Sequence, residues 1–429
     1  IKGNPYILIK GKNKWSGLIS YGTYSDIIVS TDTIYNTISK QVGYNETKGV
    51  NEPVLSKGMT PIKWNGSTWI STTEDDTDWY SYTDKKWANV RTQDGSMWVW
   101  IPRYVYKIST GWHSATTGTI DVQFSIGTDD TRNNTVTLDT GTTSNASNNK
   151  WTNHPGFTFG STELTGIWVA KFEATAAEGV ATGYATCIAS DNVSTKTIKV
   201  IPNVASWRCL SIDNAYTATR NMEMSDVYGW DTASTLNADG TYTTDTNNVD
   251  THLMKNIEWG AVSYLSKSTY GKNTVEVWIN NSQTYTTGCS GTSSGAEPYN
   301  GCQNTYESTN GVQASTTGNV YGIYDMSGSA WERVSAYVDN TNANLTAYGS
   351  SIVTANIKYK DIYQKNTTDD EVNNYALAIN KKGDAVYETS GTIGEEYAWF
   401  NDYSEMPFIN APWLARSGFF WYDVAAGLF

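Results

Sequence analysis

The sequence has little charge, and most of that charge is negative. Only 17% of its 429 residues are charged, and 30 Lys and Arg stand against 43 Asp and Glu, a formal net charge of −13. Because a protein of this charge repels a phosphate backbone, we expect no nucleic-acid partner. No window approaches about 18 uninterrupted apolar residues, so we also expect no membrane span.

Residue types that commonly bind metals are also scarce. The three histidines, His113, His154 and His252, lie far apart, and no C-x-x-C motif occurs. We therefore expect no zinc site and no cofactor. The acidic run TEDDTDWYSY at 73–82 offers carboxylates for a structural calcium ion. It lacks the Gly and Glu positions of an EF-hand loop, however, so we expect a solvated loop there.

The four cysteines form two pairs that are close in sequence, Cys187 with Cys209 and Cys289 with Cys302. Four cysteines allow three pairings, and the short spacings favour these two local bridges. The alternative is that all four are reduced and buried, as free cysteines often are. We expect Cys289 and Cys302 to be bridged, because they lie in a Gly- and Ser-rich segment of a chain with extracellular character.

Aromatic residues, in contrast, are abundant, with 18 Trp, 29 Tyr and 9 Phe. These are far too many for a disordered chain. Thr, Ser, Asn and Gly separate them, which is the composition of a strand-rich fold. The clearest hairpin is MTPIKWNGSTWIST at 59–72, where Asn65 and Gly66 predict a type I′ turn between Trp64 and Trp69.

Two segments have helical periodicity. LMKNIEWGAVSYLSKSTYG at 253–271 carries an apolar stripe, and Gly271 is placed to follow its C-cap. SIDNAYTATRNME at 211–223 predicts a second helix. With two helices at most among many strands, the sequence predicts a strand-rich α+β fold.

Composition also suggests how the chain is organised. We predict an N-terminal β arm at 1–50, a β-rich domain at 51–160 and a larger domain at 161–429 that contains polar insertions. Within the second of these, GSMWVWIPRYVYKI at 95–108 reads as one strand with aromatic residues on both faces, which indicates burial on two sides.

One motif needs a separate explanation. In GNVYGIYDMSGSAWERVSAYV at 318–338, a tight corner at 325–328 is followed at once by Trp331, Glu332 and Arg333. The residues after the corner alternate as in a strand. A carboxylate in an apolar strand is usually paired or hydrogen-bonded, because burying it alone is costly. The motif alone therefore indicates a structural turn.

The segment YGIYDMSGSAWERV resembles the G-L-Y-D-M-x-G-N-x-W-E-W signature of the formylglycine-generating enzyme (sulfatase-modifying factor) family, whose fold is a variant of the C-type lectin fold. Ser329 replaces the usual Asn, and Arg333 replaces the second Trp. The matching residues are Gly322, Tyr324, Asp325, Met326, Gly328, Trp331 and Glu332. The resemblance implies that 161–429 is a lectin-like domain in which Asp325, Gly328, Trp331 and Glu332 are framework residues. Trp331 would be buried in a sheet, and Glu332 would fix the neighbouring loop.

The chemistry of that family is not expected here. Its oxidases use a reactive cysteine pair late in the chain, whereas this sequence has no cysteine after Cys302. A copper-thiolate oxidase needs those thiolates. The segment GTSSG at 291–295 matches G-x-S-x-G only formally, since it lies in a Ser-, Thr- and Gly-rich loop. We expect a protein that is not an enzyme.

Several other segments, including DGSMWVWIPRYVYKI and ARSGFFWYDVAAGLF, resemble surface and phage proteins of Bacillota that end in a C-type-lectin module. Some of those proteins are similar to the variable proteins diversified by retroelements. The residues that match their ending are Arg416, Gly418, Ala426, Gly427, Leu428 and Phe429. The resemblance implies that Arg416 and Gly418 are framework residues. The expected ligand-binding residues are Phe419, Trp421, Tyr422 and Asp423, joined by Tyr397, Trp399 and Tyr403.

The sequence therefore predicts a non-catalytic binding protein on a virion or cell surface, acting as a phage receptor-binding protein or an adhesin. Its partner would be a protein or glycan of a host or neighbouring cell, and we expect a homo-oligomer or a larger assembly. The alternative is a structural subunit of an extracellular filament or capsid decoration. In that case the N-terminal arm would add a strand to an adjacent copy.

Overall fold

The structure, a computed structural model, describes residues 6–11, 14–20, 43–139, 147–183, 187–245, 249–365, 382–391, 398–403 and 407–429. It is strand-rich with few helices, in agreement with the predicted α+β class. Three α-helices occur within these ranges: α1 (Ile212–Asn221), α2 (Asn256–Ser266) and α3 (Asn344–Thr354).

Short strands form most of the regular structure. In chain order they are β1 (Tyr6–Gly11), β2 (Lys14–Ser20), β3 (Tyr44–Asn45), β4 (Val50–Asn51), β5 (Thr60–Trp64), β6 (Trp69–Ser71), β7 (Asn89–Arg91), β8 (Met97–Pro102), β9 (Tyr104–Thr110), β10 (Thr119–Phe124), β11 (Thr152–Asn153), β12 (Thr158–Phe159), β13 (Thr162–Glu163), β14 (Gly166–Ala170), β15 (Thr175–Ala176), β16 (Ile198–Lys199), β17 (Ser234–Leu236), β18 (Tyr242–Thr244), β19 (Glu332–Asp339), β20 (Asp361–Gln364) and β21 (Trp413–Arg416).

The largest sheet has the order β14-β8-β7-β5-β6 and is antiparallel throughout. The predicted hairpin is present as β5–β6, in which Trp64 is the register partner of Trp69. The turn differs from the predicted two-residue type I′ turn. Asn65 N donates to Thr68 O at 3.1 Å, and only Gly66 of the predicted pair has a positive φ, +100°. The Asn65 side chain accepts from the amides of Ser67 and Thr68 instead, which stabilises a longer loop.

The predicted single strand at 95–108 is two strands, β8 and β9, that belong to different sheets. The break is at Arg103, whose buried guanidinium turns inward to Asp130, 2.6 Å away, and to Glu163, 2.5 Å away. The prediction of two-sided burial is confirmed for both strands, which are buried over most of their length. Because β8 pairs with β14, one sheet crosses the predicted boundary between residues 160 and 161.

The two predicted helices are confirmed as α1 and α2. Ser211 caps α1 by accepting from Asn214 N at 3.2 Å. At the start of α2, the Glu258 carboxylate accepts from Lys255 N at 2.9 Å. Helix α3, in the polar segment 340–395, exceeds the predicted maximum of two. Its Gly349 lies so close to Trp413 that a Cβ there would be 2.1 Å from the ring, so α3 packs tightly against a residue that is distant in sequence.

We call the segment 318–338 the corner motif, and its last residues form the central strand of a second sheet. In the order β20-β19-β21, strand β19 is parallel to β20 and antiparallel to β21. Glu332 of β19 is the register partner of Arg416 of β21, and the register shifts between Arg333 and Tyr337. This shift breaks the simple alternation that the sequence suggested.

Both local disulfides are formed, Cys187–Cys209 and Cys289–Cys302, with Cα–Cα distances of 5.6 and 5.4 Å. The expected bridge between Cys289 and Cys302 is therefore present, and the alternative of four reduced thiols is not realised. Within the described ranges, no helix has the length and apolar character needed to cross a bilayer.

The N-terminal segment contains an antiparallel ribbon, β1 with β2. The end of the predicted arm behaves differently, because Val50 is 1% exposed and belongs to the main core. Asn51 is also buried, and its side chain donates to Gly127 O and Thr165 O at 2.8 and 2.9 Å. Residues 50 and 51 are therefore part of the body of the protein.

Candidate functional site

The C-terminal segment is held by a buried arginine. Arg416 donates from Nη2 to Leu428 O at 2.8 Å and to Ala385 O at 3.0 Å. Its guanidinium lies 5.7 Å from the centre of the Trp259 ring. Trp259 Nε1 also donates to Leu428 O, at 2.9 Å. Arg416 thus connects β21, α2 and the end of the chain.

The next two residues make a sharp bend in the backbone, and Trp421 and Tyr422, a few residues later, are exposed. Ser417 and Gly418 have φ angles of +77° and +75°. Ser417 Oγ donates to Asp325 O at 2.9 Å and to Gly328 O at 2.7 Å. A Cβ at Gly418 would lie 2.9 Å from Ala426 Cα, so this close approach of two backbones requires glycine.

Asp325 is the centre of the corner motif. It is fully buried, with φ at +65°. Its carboxylate accepts from Gly288 N and Asn280 Nδ2, each at 2.8 Å, and from Glu173 N at 3.1 Å. One side chain therefore ties together three segments that are far apart in sequence. Gly328 adds a second close approach, because a Cβ there would lie 2.6 Å from Asn280 O.

Three carboxyl groups share this buried region. Burial, reinforced by the nearby Asp325, raises the pKa of Glu173 to about 8. Burial likewise raises the pKa of Asp325 to about 6. The pKa of Glu332 is raised well above its usual range by burial and by the charges of the other two. Glu173 is hydrogen-bonded, since it accepts from Ser206 Oγ, Ser329 Oγ and Ala330 N.

The structure corrects the roles suggested for two motif residues. Trp331 is half-buried, not enclosed in the sheet, and its ring meets that of Tyr422 edge-on at 5.4 Å. The Glu332 carboxyl has no hydrogen-bond partner among the described residues, so it does not fix the neighbouring loop. Asp325 and Glu173 do so instead, and only the first of these belongs to the motif.

A group of aromatic rings lies around Tyr422. We call Trp331, Tyr403, Phe419, Trp421 and Tyr422 the aromatic surface. Tyr403 stacks on Tyr422 with ring centres 5.9 Å apart, and Phe419 meets Tyr422 edge-on at 6.1 Å. Trp421 is 58% exposed and Tyr422 is 40% exposed. Large rings held together in this way bury contact area at low entropic cost when a partner binds.

Three neighbours of this surface were not singled out from the sequence. Val424 is 49% exposed on the short turn Asp423–Ala425. The Arg208 guanidinium lies 3.8 Å from the centre of the Tyr285 ring, and that ring is 6.1 Å from Phe419. Arg208 and Tyr285 are distant in sequence from the C-terminal segment, so no local pattern could have linked them to it.

The remaining predicted ligand-binding residues differ in position. Asp423 is exposed, with φ at +54°. Trp399 is fully buried, and its Nε1 donates to Gly111 O at 2.9 Å, so the prediction that it contacts a ligand is wrong. Its ring fills space next to Phe429. Tyr397 lies outside the described residues.

No three His, Cys, Asp or Glu side chains within the described ranges are grouped so that they could hold a metal ion. In the acidic loop considered for calcium, Asp76 is instead 2.7 Å from Lys63 Nζ. Comparison of the chain with family models and with curated proteins gave no match.

Proposed function

We propose that this protein is a non-catalytic extracellular binding protein that recognises a partner through the aromatic surface. The observation that carries the proposal is that Trp421 and Tyr422 are exposed on a segment that directly follows the buried residues Arg416 and Ser417, which are hydrogen-bonded to the rest of the protein. A group of exposed apolar side chains that lie together marks an interaction site more often than a single exposed side chain does. The partner would be a protein or glycan on a host or neighbouring cell, and the protein would be displayed on a virion or cell surface.

Several features support this proposal. Disulfides persist mainly in oxidising compartments, and both cysteine pairs are bridged. All four cysteines are used in these bridges, which leaves no thiolate for a copper-dependent oxidase of the formylglycine-generating type. The proposed scaffold is a C-type-lectin-like domain, as the resemblance of the corner motif implies. In such a domain, Arg416, Gly418 and Asp325 would stabilise the fold, and Trp421 and Tyr422 would contact the ligand.

The first prediction concerns the two exposed rings. We expect Trp421→Ala and Tyr422→Ala each to weaken binding by about 2 kcal/mol, roughly 30-fold, because exposed aromatic anchors contribute this much. The melting temperature should hardly change. The measurement is binding of the labelled protein to a glycan array and to intact cells, followed by titration of the strongest ligand.

Tyr348→Ala is the matched control, since Tyr348 is also 58% exposed but lies on α3 and is not one of the residues of the aromatic surface. The proposal fails if Tyr348→Ala weakens binding as much as Trp421→Ala does. It also fails if the two aromatic substitutions unfold the protein, because these rings would then belong to its core.

A structural subunit assembled by strand addition is the second candidate function. The observation that favours it is the β1–β2 ribbon, which pairs with no further strand within the described part of the chain. A ribbon of this kind has free edges to which another copy can add a strand.

Removal of residues 1–42 separates the two functions, because this deletion spares the buried Val50 and Asn51. A structural subunit would lose its assembly in light scattering while keeping its melting temperature. A binding protein of the kind proposed would keep both its oligomeric state and its ligand binding.

A further inference from the structure

A second feature of the molecule, distinct from the aromatic surface, is a cavity of about 480 Å³. It lies between the large sheet, which contributes residues of β8 and β14, and strand β19 of the second sheet. The volume is within the range of cavities that enclose small organic molecules, about 300 to 1,000 Å³.

The walls of the cavity are predominantly aromatic and aliphatic. Five tryptophans contribute to them: Trp98, Trp100, Trp168, Trp230 and Trp259. The indole N–H groups of Trp100, Trp168 and Trp259 already donate to backbone carbonyls, at 3.3, 2.7 and 2.9 Å. Trp100 and Trp259 are 2% and 1% exposed, so the accessible ring surface comes mainly from the half-buried Trp98 and Trp168, and it favours an apolar body or a cation.

Four carboxyl groups also belong to the lining, and three of them have partners. Glu173 accepts from Ser329 Oγ and Ala330 N. Glu258 is 3.1 Å from His252 and 3.3 Å from Lys255.

The third carboxyl group, that of Asp250, is 2.6 Å from Arg220 and 2.9 Å from Lys358. The fourth is Glu332, which has no hydrogen-bond partner among the described residues. Glu332 is half-buried as a residue and lines the cavity, and burial of its carboxyl group raises its pKa.

The carboxyl groups of the wall differ in whether a partner already satisfies them. Against these four carboxyl groups, the cationic or titratable basic side chains on the wall are His252, which pairs with Glu258, and Arg333, which is exposed and has interactions of its own. Arg220, Lys255 and Lys358 also pair with Asp250 and Glu258, and burial raises the pKa of Glu173 and of Glu332, so the wall carries little net charge. Glu332 is the carboxyl group of the wall that has no hydrogen-bond partner among the described residues, and a nearby cation would favour its ionised form. A cationic ligand would supply the donors that Glu332 lacks and would relieve the cost of its burial.

We propose that this cavity binds a small organic cation with an apolar body, whose ammonium group donates to Glu332 and whose body packs on the tryptophan rings. Trp331 of the aromatic surface and Glu332 of the cavity are adjacent in sequence, so the two proposed sites meet at the start of strand β19. The proposal does not depend on the function proposed for the aromatic surface.

The test uses two probes with the same aromatic ring and opposite charge, phenethylammonium and 3-phenylpropionate, titrated calorimetrically against the full chain at neutral pH. We expect phenethylammonium to bind and 3-phenylpropionate to bind at least tenfold more weakly. Equal binding of the two probes, or no heat from phenethylammonium up to about 10 mM, would overturn the proposal.

The variant Glu332→Gln should weaken phenethylammonium binding at least tenfold, because glutamine keeps the shape but cannot form the carboxylate that would pair with the ammonium group. Glu297→Gln, the same substitution at an exposed position, should leave binding unchanged. Unaltered binding by a folded Glu332→Gln protein would also overturn the proposal. If that variant does not fold, the comparison of the two probes on the unmodified chain still decides.

Discussion

Replacing Glu173 by glutamine is expected to remove a large pH-dependent loss of stability. Burial raises the pKa of Glu173 from 4.5 to about 8, so the folded protein favours the protonated carboxyl. The unfolded chain releases this proton near its ordinary pKa. The contribution of Glu173 to stability is therefore fully present below about pH 4.5 and is lost as the pH rises to about 8.

The size of the effect follows from the shift. Each unit of pKa difference corresponds to about 1.4 kcal/mol, so the stability of the unmodified protein relative to Glu173→Gln should fall by a few kcal/mol between about pH 5 and pH 9. Burial also lowers the pKa of nearby Lys171, which acts in the opposite direction. Lys171 is present in both proteins, however, and its contribution largely cancels in the difference.

Urea unfolding at several pH values from about 5 to about 9 measures this difference. The matched control is Glu297→Gln, an exposed carboxyl outside the buried region. Its free energy of unfolding should follow that of the unmodified protein at every pH. A pH-independent gap between the unmodified protein and Glu173→Gln would mean that Glu173 titrates normally and that the carboxyl groups do not share a dry environment.

Features that depend on neighbours in sequence were predicted well. The apolar stripe of α2 and the capping serine of α1 are local, and both helices form where expected. The two disulfides join cysteines separated by 22 and 13 residues, so a short spacing was a sufficient guide.

Features that depend on distant partners were not predictable in the same way. The break between β8 and β9 lies at Arg103, which contacts Asp130 and Glu163, and Gly349 of helix α3 lies against Trp413. Neither contact has a periodic signal in the sequence. Strand alternation failed at β19 for a related reason, since its register shifts against β21.

The candidate site also combines features that the sequence predicts locally with features that depend on distant partners. Aromatic residues at 419–422 are conspicuous in the sequence, and the rule that consecutive side chains alternate indicates that some of them face solvent. Which ones do so is decided by the bend at Ser417 and Gly418, which leaves Phe420 fully buried and Trp421 exposed. The burial of Trp399 could not be predicted from the sequence, because it involves packing against Phe429, which is distant along the chain.

The framework role of Arg416 leads to the second large expected effect. Arg416→Ala should lower the free energy of unfolding by about 2 to 4 kcal/mol, for two reasons. It leaves the carbonyl of Ala385 without the donor that it has at 3.0 Å, and it opens a void beside the Trp259 ring. Arg416 is 4% exposed, so water cannot readily replace the lost contacts.

The matched control is Arg333→Ala, which removes an exposed guanidinium from the neighbouring strand β19 and should change stability by about 0.5 kcal/mol or less. Chemical unfolding at one pH compares the two variants. Arg416→Lys adds a finer test, because a lysine keeps the charge but lacks the planar guanidinium beside the Trp259 ring, whose Nη2 donates to both Ala385 and Leu428, and it should recover only part of the loss. Equal stability of Arg416→Ala and Arg333→Ala would show that the end of the chain is held without Arg416. The aromatic surface would then lack the fixed base on which its proposed role in binding depends.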